Sequence, residues 1–143
     1  MRREYFTLQT QAGEDARPTI TIEYDGPEAD LRSALRDDAG DPLPAEALDV
    51  TCRLLDDGME GSCVLGLTHR LTGEFLLEVN GPAPAVLDLV DAARSNDDED
   101  ATYRVQVKSD ETDISYDKGT LLVYDGEGNL LRGRSLIPSG VEL

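Results

Sequence analysis

Thr19-Ile20-Thr21-Ile22-Glu23-Tyr24-Asp25-Gly26-Pro27 decides the architecture. Residues 19–24 alternate cleanly, with Ile20, Ile22 and Tyr24 in one phase, which is the period of a half-buried strand. Asp25, Gly26 and Pro27 end that strand and open a helix, with proline in its first turn. Leu31, Ala34 and Leu35 follow at i, i+3 and i+4, so the helix is short and amphipathic. Fifty-five residues on, the pattern recurs. Phe75, Leu77 and Val79 fall on Ile20, Ile22 and Tyr24, and Asn80-Gly81-Pro82 falls on Asp25-Gly26-Pro27. Val86, Leu89 and Val90 then fall on Leu31, Ala34 and Leu35. Val105 and Val107 fall on Val50 and Cys52, and Gly128 on the turn residue Gly73.

Working outward, strands are expected over 4–11, 19–24, 47–55, 62–69, 74–79 and 102–109. A closing hairpin is expected over 119–137, with strands 119–125 and 129–137 around Gly126-Glu127-Gly128. Acidic loops are expected over 37–46 and 96–100. A unit of strand–strand–helix–strand thus occurs twice, over about 4–55 and 62–110. The expected fold is α+β within one domain, 1–143. It has a mainly antiparallel sheet of about eight to nine strands, with two short helices covering one face. Each strand–helix–strand segment has room for a crossover, and such crossovers are right-handed.

The chain has 143 residues, enough to bury a core without staples. It carries 30 acidic and 13 basic residues, a net charge of −17. In dilute buffer that much like charge opposes compaction. At 1 M salt the Debye length is only about 3 Å and the repulsion is screened. Lys108 and Lys118 are the only lysines among the basic residues, and tryptophan is absent. Acid is spread over every segment instead of forming one tail, and the apolar residues are periodic rather than depleted. The composition points to a protein of multimolar salt, from an extremely halophilic archaeon. No apolar run spans a membrane, and Arg2 and Arg3 are not followed by the apolar stretch of a secretory signal. A cytoplasmic location is expected.

The run Leu121-Leu122-Val123-Tyr124-Asp125-Gly126-Glu127-Gly128-Asn129-Leu130-Leu131 stands near the end of the chain, followed by Ser135-Leu136-Ile137-Pro138-Ser139-Gly140-Val141-Glu142-Leu143. With the opening Met1-Arg2-Arg3-Glu4-Tyr5-Phe6, it resembles a haloarchaeal protein family of unknown function over nearly the whole length. The resemblance implies a small cytosolic protein of a halophilic archaeon. It brings no activity, cofactor or site residue.

Motifs for chemistry are sparse. Cys52 and Cys63 lie in phase with apolar neighbours, so they read as buried thiols; no CxxC spacing supports a redox pair. His69 is the only histidine and borders a turn, too little for a nucleophile relay or a zinc site with the two cysteines. Ser62 and Ser135 lack a nucleophile elbow, and no P-loop or GxGxxG occurs. Asp97, Asp98, Glu99 and Asp100 read as a solvated block. Asp125, Glu127 and Asn129 suggest the start of a calcium loop, but its twelfth position is Leu136, and a tight turn explains them better. No catalytic residue, metal ligand or cofactor is assigned.

Two features point to binding. Arg2, Arg3, Arg132 and Arg134 form a small basic patch if the first and last strands are neighbours. Against RNA stand the net acidity and the weakening of phosphate contacts by salt. The tail residues Leu136, Ile137, Pro138, Val141 and Leu143 either pack back on the domain or dock on a partner. The expected function is a non-catalytic protein-binding or structural module, with an unknown partner or a homodimer. The alternatives are a small-ligand binder or enzyme using carboxylates near the Gly26-Pro27 and Gly81-Pro82 helix starts, and an RNA-associated protein.

Overall fold

The alternating segments do form strands, and their hydrogen-bond partners divide them between two sheets. The computed structural model describes residues 5–11, 18–36, 39–55, 61–95 and 102–137. In chain order these give β1 (Phe6–Gln11), β2 (Thr19–Tyr24), α1 (Glu28–Ala34), β3 (Leu48–Leu54), β4 (Ser62–His69) and β5 (Phe75–Pro82). Then follow α2 (Ala83–Ser95), β6 (Tyr103–Lys108), β7 (Asp113–Lys118) and β8 (Leu122–Tyr124). Short 3-10 turns occupy Ala45–Ala47 and Arg132–Arg134.

One sheet has the order β1-β2-β6-β7 and the other β5-β4-β3-β8. Each contains a parallel pair. Ile20 lies opposite Val105 and Ile22 opposite Val107 between β2 and β6; Cys52 lies opposite Val123 between β3 and β8. The expectation of a mainly antiparallel sheet of about eight to nine strands thus holds in part: the described residues give eight strands, and four of their six pairings are antiparallel, but they form two mixed sheets rather than one. The reason lies in the helical connections. α1 leads from β2 in the first sheet to β3 in the second, and α2 leads from β5 in the second to β6 in the first. Neither is a crossover within one sheet, so the handedness rule for such crossovers has no purchase here. The order strand–strand–helix–strand occurs in both halves, but the pairing differs. β2, before α1, is interior to its sheet, whereas β5, before α2, is an edge.

A single apolar cluster joins both sheets and both helices. Ile20, Ile22, Val105 and Val107 line it from the first sheet; Val50, Cys52, Leu65 and Leu67 line it from the second. α2 inserts Val86, Leu89, Val90 and Ala93, the stripe expected from the sequence, and packs against β1, β4 and β5. Removing a fully buried side chain of this kind from water contributes about 1.5–3 kcal/mol.

The closing hairpin differs from expectation. β8 spans only three residues, and 129–137 forms no strand. Two isolated bridges, Leu121 with Leu136 and Tyr124 with Leu130, hold the segment instead. The buried Ser135 explains the break. Its Oγ accepts the Val123 N–H at 2.8 Å and donates to the Leu131 carbonyl at 2.8 Å, taking over what a ladder would supply. Arg94 of α2 clamps the segment by donating to the Gly133 carbonyl at 3.0 Å and to the Ser135 carbonyl. Leu136 is buried against this arrangement and Ile137 is half-buried; the tail residues Pro138, Val141 and Leu143 lie outside the described residues.

β1 of the first sheet abuts β5 of the second, and Gly81 makes that approach close. A Cβ at Gly81 would fall 2.1 Å from Leu8 Cδ2 and 3.2 Å from Leu8 Cγ. Gly81→Ala is expected to cost about 1–3 kcal/mol by overpacking. Adding Leu8→Ala is expected to recover part of that loss, a non-additivity read from urea midpoints of the four proteins. Equal losses from Gly81→Ala with and without Leu8 would show that the contact does not govern the site.

Candidate functional site

The second sheet carries the exposed apolar side chains. Leu71 is 88% and Phe75 59% exposed, and they are the large hydrophobics exposed among the described residues. Both sit on the β4–β5 hairpin. Its tip is wired by hydrogen bonds rather than packing. The His69 N–H donates to the Glu74 carbonyl at 2.8 Å, and the Gly73 N–H to the His69 carbonyl at 2.8 Å. The Leu71 N–H donates to His69 Nδ1 at 3.3 Å, and the Glu74 N–H to Thr72 Oγ1 at 3.2 Å. Gly73 takes φ +73°, which a side chain would disfavour. Arg70 ties the tip to the body, through its N–H to the Ala47 carbonyl at 2.8 Å and its Nε to Asp49 Oδ1 at 3.1 Å.

Phe75 separates two concavities. One, about 660 Å³, lies between α1 and the hairpin; Asp30, Arg36, Leu43, His69, Glu74 and Phe75 are among its walls. The other, about 260 Å³, is a trough on the outer face of the sheet, lined by Arg53, Val64, Gly66, Phe75, Glu78 and Tyr124 among others. Gly66 forms part of that trough. The Phe75 ring leans over it, with Cε1 3.2 Å from where a Cβ would stand.

Polar contacts hold α1, the far wall of the larger cleft. Glu28 accepts from Thr112 Oγ1 at 3.2 Å and from the Glu111 N–H at 3.4 Å. Its carboxyl is held below the usual range, first by a hydrogen bond with Ser109 and then by these neighbours. Arg32 pairs with Glu111 at 2.8 Å. A helix of seven residues has little stability of its own, so these ties to the β6–β7 turn fix its position.

The structure places the sequence candidates as follows. Arg132 and Arg134 stand in a 3-10 turn, not on a strand, so they do not alternate on one face. Arg2 and Arg3 lie outside the described residues. The first and last strands, β1 and β8, belong to different sheets. The Gly-Pro turns are filled. A Cβ at Gly26 would meet Tyr24 Oη at 2.5 Å, Tyr24 itself donates to the Pro27 carbonyl at 3.0 Å, and Leu8 occupies the space at Gly81. Asp97 to Asp100 lie outside the described residues. Asp125 builds a turn: its Oδ1 accepts from the Glu127 and Asn129 N–H groups, both at 2.9 Å, and these bonds, Asn129 first, lower its carboxyl. Cys52 and Cys63 are free and buried. They stand diagonally across β3 and β4, Cys52 opposite Leu65 and Cys63 opposite Leu54. A shared hydrogen bond and burial push the Cys52 thiol up. His69 Nδ1 is taken by the turn at Leu71, and among the described residues no hydrogen bond joins the imidazole to Asp30 or Ser33 at the same cleft. Among the described residues no group of three or more His, Cys, Asp or Glu could hold a metal ion, and no helix is long and apolar enough to cross a membrane.

Leu71 and Phe75 were not singled out by the sequence reading. Leu71 is an apolar residue in a turn that polar residues usually fill, and that signal was available. Phe75 was masked by its phase. Alternation puts it inward with Leu77 and Val79, but a register shift between Leu67 and Thr68 sets it opposite Thr68 and turns it outward.

The molecule is thus an α+β protein of two mixed sheets whose exposed large apolar side chains, among the described residues, lie on a hydrogen-bonded hairpin, with Phe75 lining two concavities. The chain belongs to a family of unknown function, DUF5793, matched over residues 1–143. No curated protein and no solved structure matches it.

Proposed function

We propose that this protein is a non-catalytic binding or structural module of a high-salt cytoplasm, and that it binds through the tip and outer flank of the β4–β5 hairpin. The observation that carries this reading is the exposure of both Leu71 and Phe75 on one hydrogen-bonded hairpin, with Phe75 lining the larger cleft. Exposed apolar side chains scattered singly need no explanation, whereas neighbours beside a concavity mark contact surfaces. A tip fixed in advance loses little conformational entropy on binding. The high-salt setting is supported by charge placement. Among the described residues the only buried charged side chain is Lys118, so every described carboxylate reaches the surface.

Tagged wild-type protein and the Leu71→Ser/Phe75→Ser double variant, captured from the same native high-salt lysate, test the reading. The expected result is a stoichiometric protein partner with the wild type and its loss with the variant, both baits having the same melting temperature. A partner retained in full by the variant would place the binding surface elsewhere.

A further inference from the structure

We infer that the hairpin surface receives a second copy of this chain, forming a two-fold dimer; the inference rests on the binding reading above and names its partner. A two-fold contact uses the same patch on both subunits, so one patch must carry both a projection and a recess. This one does. Leu71 and Phe75 project, and the cleft of about 660 Å³ opens directly beside Phe75, with Leu43 and Leu76 on its walls.

Charge favours the same partner. The chain as a whole has 30 acidic to 13 basic residues, and two copies repel over most of their surface. Around Phe75 the balance is different. Asp30, Glu74 and Glu78 share the two concavities with Arg36 and Arg53. A near-balanced patch of mixed sign is self-complementary: a two-fold rotation can bring the arginines of one copy toward the carboxylates of the other. A strongly basic partner would instead be drawn to the acidic remainder of the surface. In multimolar salt the distant repulsion between copies is screened, and burial of the apolar projections remains.

Rigidity completes the case. Leu71 is presented by four hydrogen bonds within the turn, and Arg70 anchors that turn to β3. A knob held this way in the free chain docks without reordering.

The test is the mass of the purified full chain against concentration, by sedimentation equilibrium in about 3 M KCl, where screening is complete. The wild type is expected to move from monomer to dimer as concentration rises. Leu71→Ser/Phe75→Ser is expected to weaken that association at least about 30-fold, the scale of interface hot spots, with unchanged thermal unfolding of the monomer. A conservative Phe75→Tyr should keep the dimer. A wild type that stays monomeric throughout overturns the inference, and so does a dimer indifferent to the double substitution. Monomeric behaviour alone does not decide the wider binding reading, which stands or falls on the capture comparison.

Discussion

Lowering KCl from about 1 M to about 0.1 M is expected to remove about 5 kcal/mol of folding stability. The net charge of −17 and the radii of the folded and unfolded chain set this figure. A folded chain of this length has a radius of gyration near 15 Å, equivalent to a sphere of about 18 Å; the unfolded coil is near 39 Å. Spreading the net charge over the sphere in water costs about 12 kcal/mol at 0.1 M and about 5 kcal/mol at 1 M, as the Debye length shrinks from about 10 to about 3 Å. The expanded coil feels the change far less, by about 2 kcal/mol. The difference falls on the native state. A domain of ordinary stability holds about 5–15 kcal/mol, so the protein should be unfolded or marginal in dilute buffer. Urea titrations monitored by circular dichroism across a KCl series would measure it, urea being uncharged. A midpoint that does not move between the two salt concentrations would refute the electrostatic account and, with it, the high-salt setting. Potassium chloride, not sulfate, is the salt to use, because sulfate also strengthens apolar burial.

The strands themselves were easy to read. Where one face is apolar and the other polar, as with Thr19, Thr21 and Glu23 in β2, alternation is sharp. Ile20, Ile22 and Tyr24 in β2 and Val50, Cys52 and Leu54 in β3 are all buried as the pattern demands. The helical stripe Val86, Leu89, Val90 and Ala93 was equally legible. What the pattern could not carry was partnership. Alternation says which face of a strand is wet, but not which sheet the strand joins. Hence the division into two sheets, reached because each helix crosses between them, was not foreseen. The hairpin surface was missed for a related reason. One register irregularity at Leu67 and Thr68 turned Phe75 over, and a single-residue slip is invisible in a hydrophobic pattern. The 129–137 segment failed differently: its backbone meets Leu121, Val123 and Asp125 only at separate points, and between them the Ser135 side chain takes the Val123 N–H and the Leu131 carbonyl.

β7 was missed because its inward phase ends in a charge. Ile114, Tyr116 and Lys118 alternate with Asp113, Ser115 and Asp117, and a lysine at the third inward position broke the apolar rule. That lysine is the basis of the second large effect. Lys118 is 6% exposed, and its Nζ donates to the Ala45 carbonyl at 2.7 Å and the Leu48 carbonyl at 2.6 Å. It thereby pins the end of β7 to the 3-10 turn that feeds β3. The use of lysine fits the geometry. In a chain that otherwise prefers arginine, a compact ammonium suits two converging carbonyls where a planar guanidinium does not. Lys118→Ala is expected to destabilise by about 3 kcal/mol, combining two buried acceptors left unpaired with the emptied stem volume. Lys118→Arg should not restore the loss.

A pH signature separates this role from simple packing. Burial lowers the Lys118 ammonium below its ordinary 10.5, with Arg70 adding to the effect. Between its folded value and 10.5 the unfolded chain holds a proton that the native chain has released, so stability contributed by this group rises with pH across that window. Burial raises the phenols of Tyr24, Tyr103 and Tyr116 above 10.0. Above pH 10 the unfolded chain loses protons that the native chain keeps, so stability contributed by these groups falls. The Cys52 thiol, raised above its ordinary 9.0, opposes this rise from pH 9 upward. The Lys118 contribution is therefore read as the difference in urea midpoint between wild type and Lys118→Met, which keeps the stem and removes the ammonium. That difference should change in favour of the wild type as pH rises toward 10.5, while both proteins lose stability above pH 10 as phenolate absorbance appears late. A difference that stays flat with pH would reduce Lys118 to a packing residue.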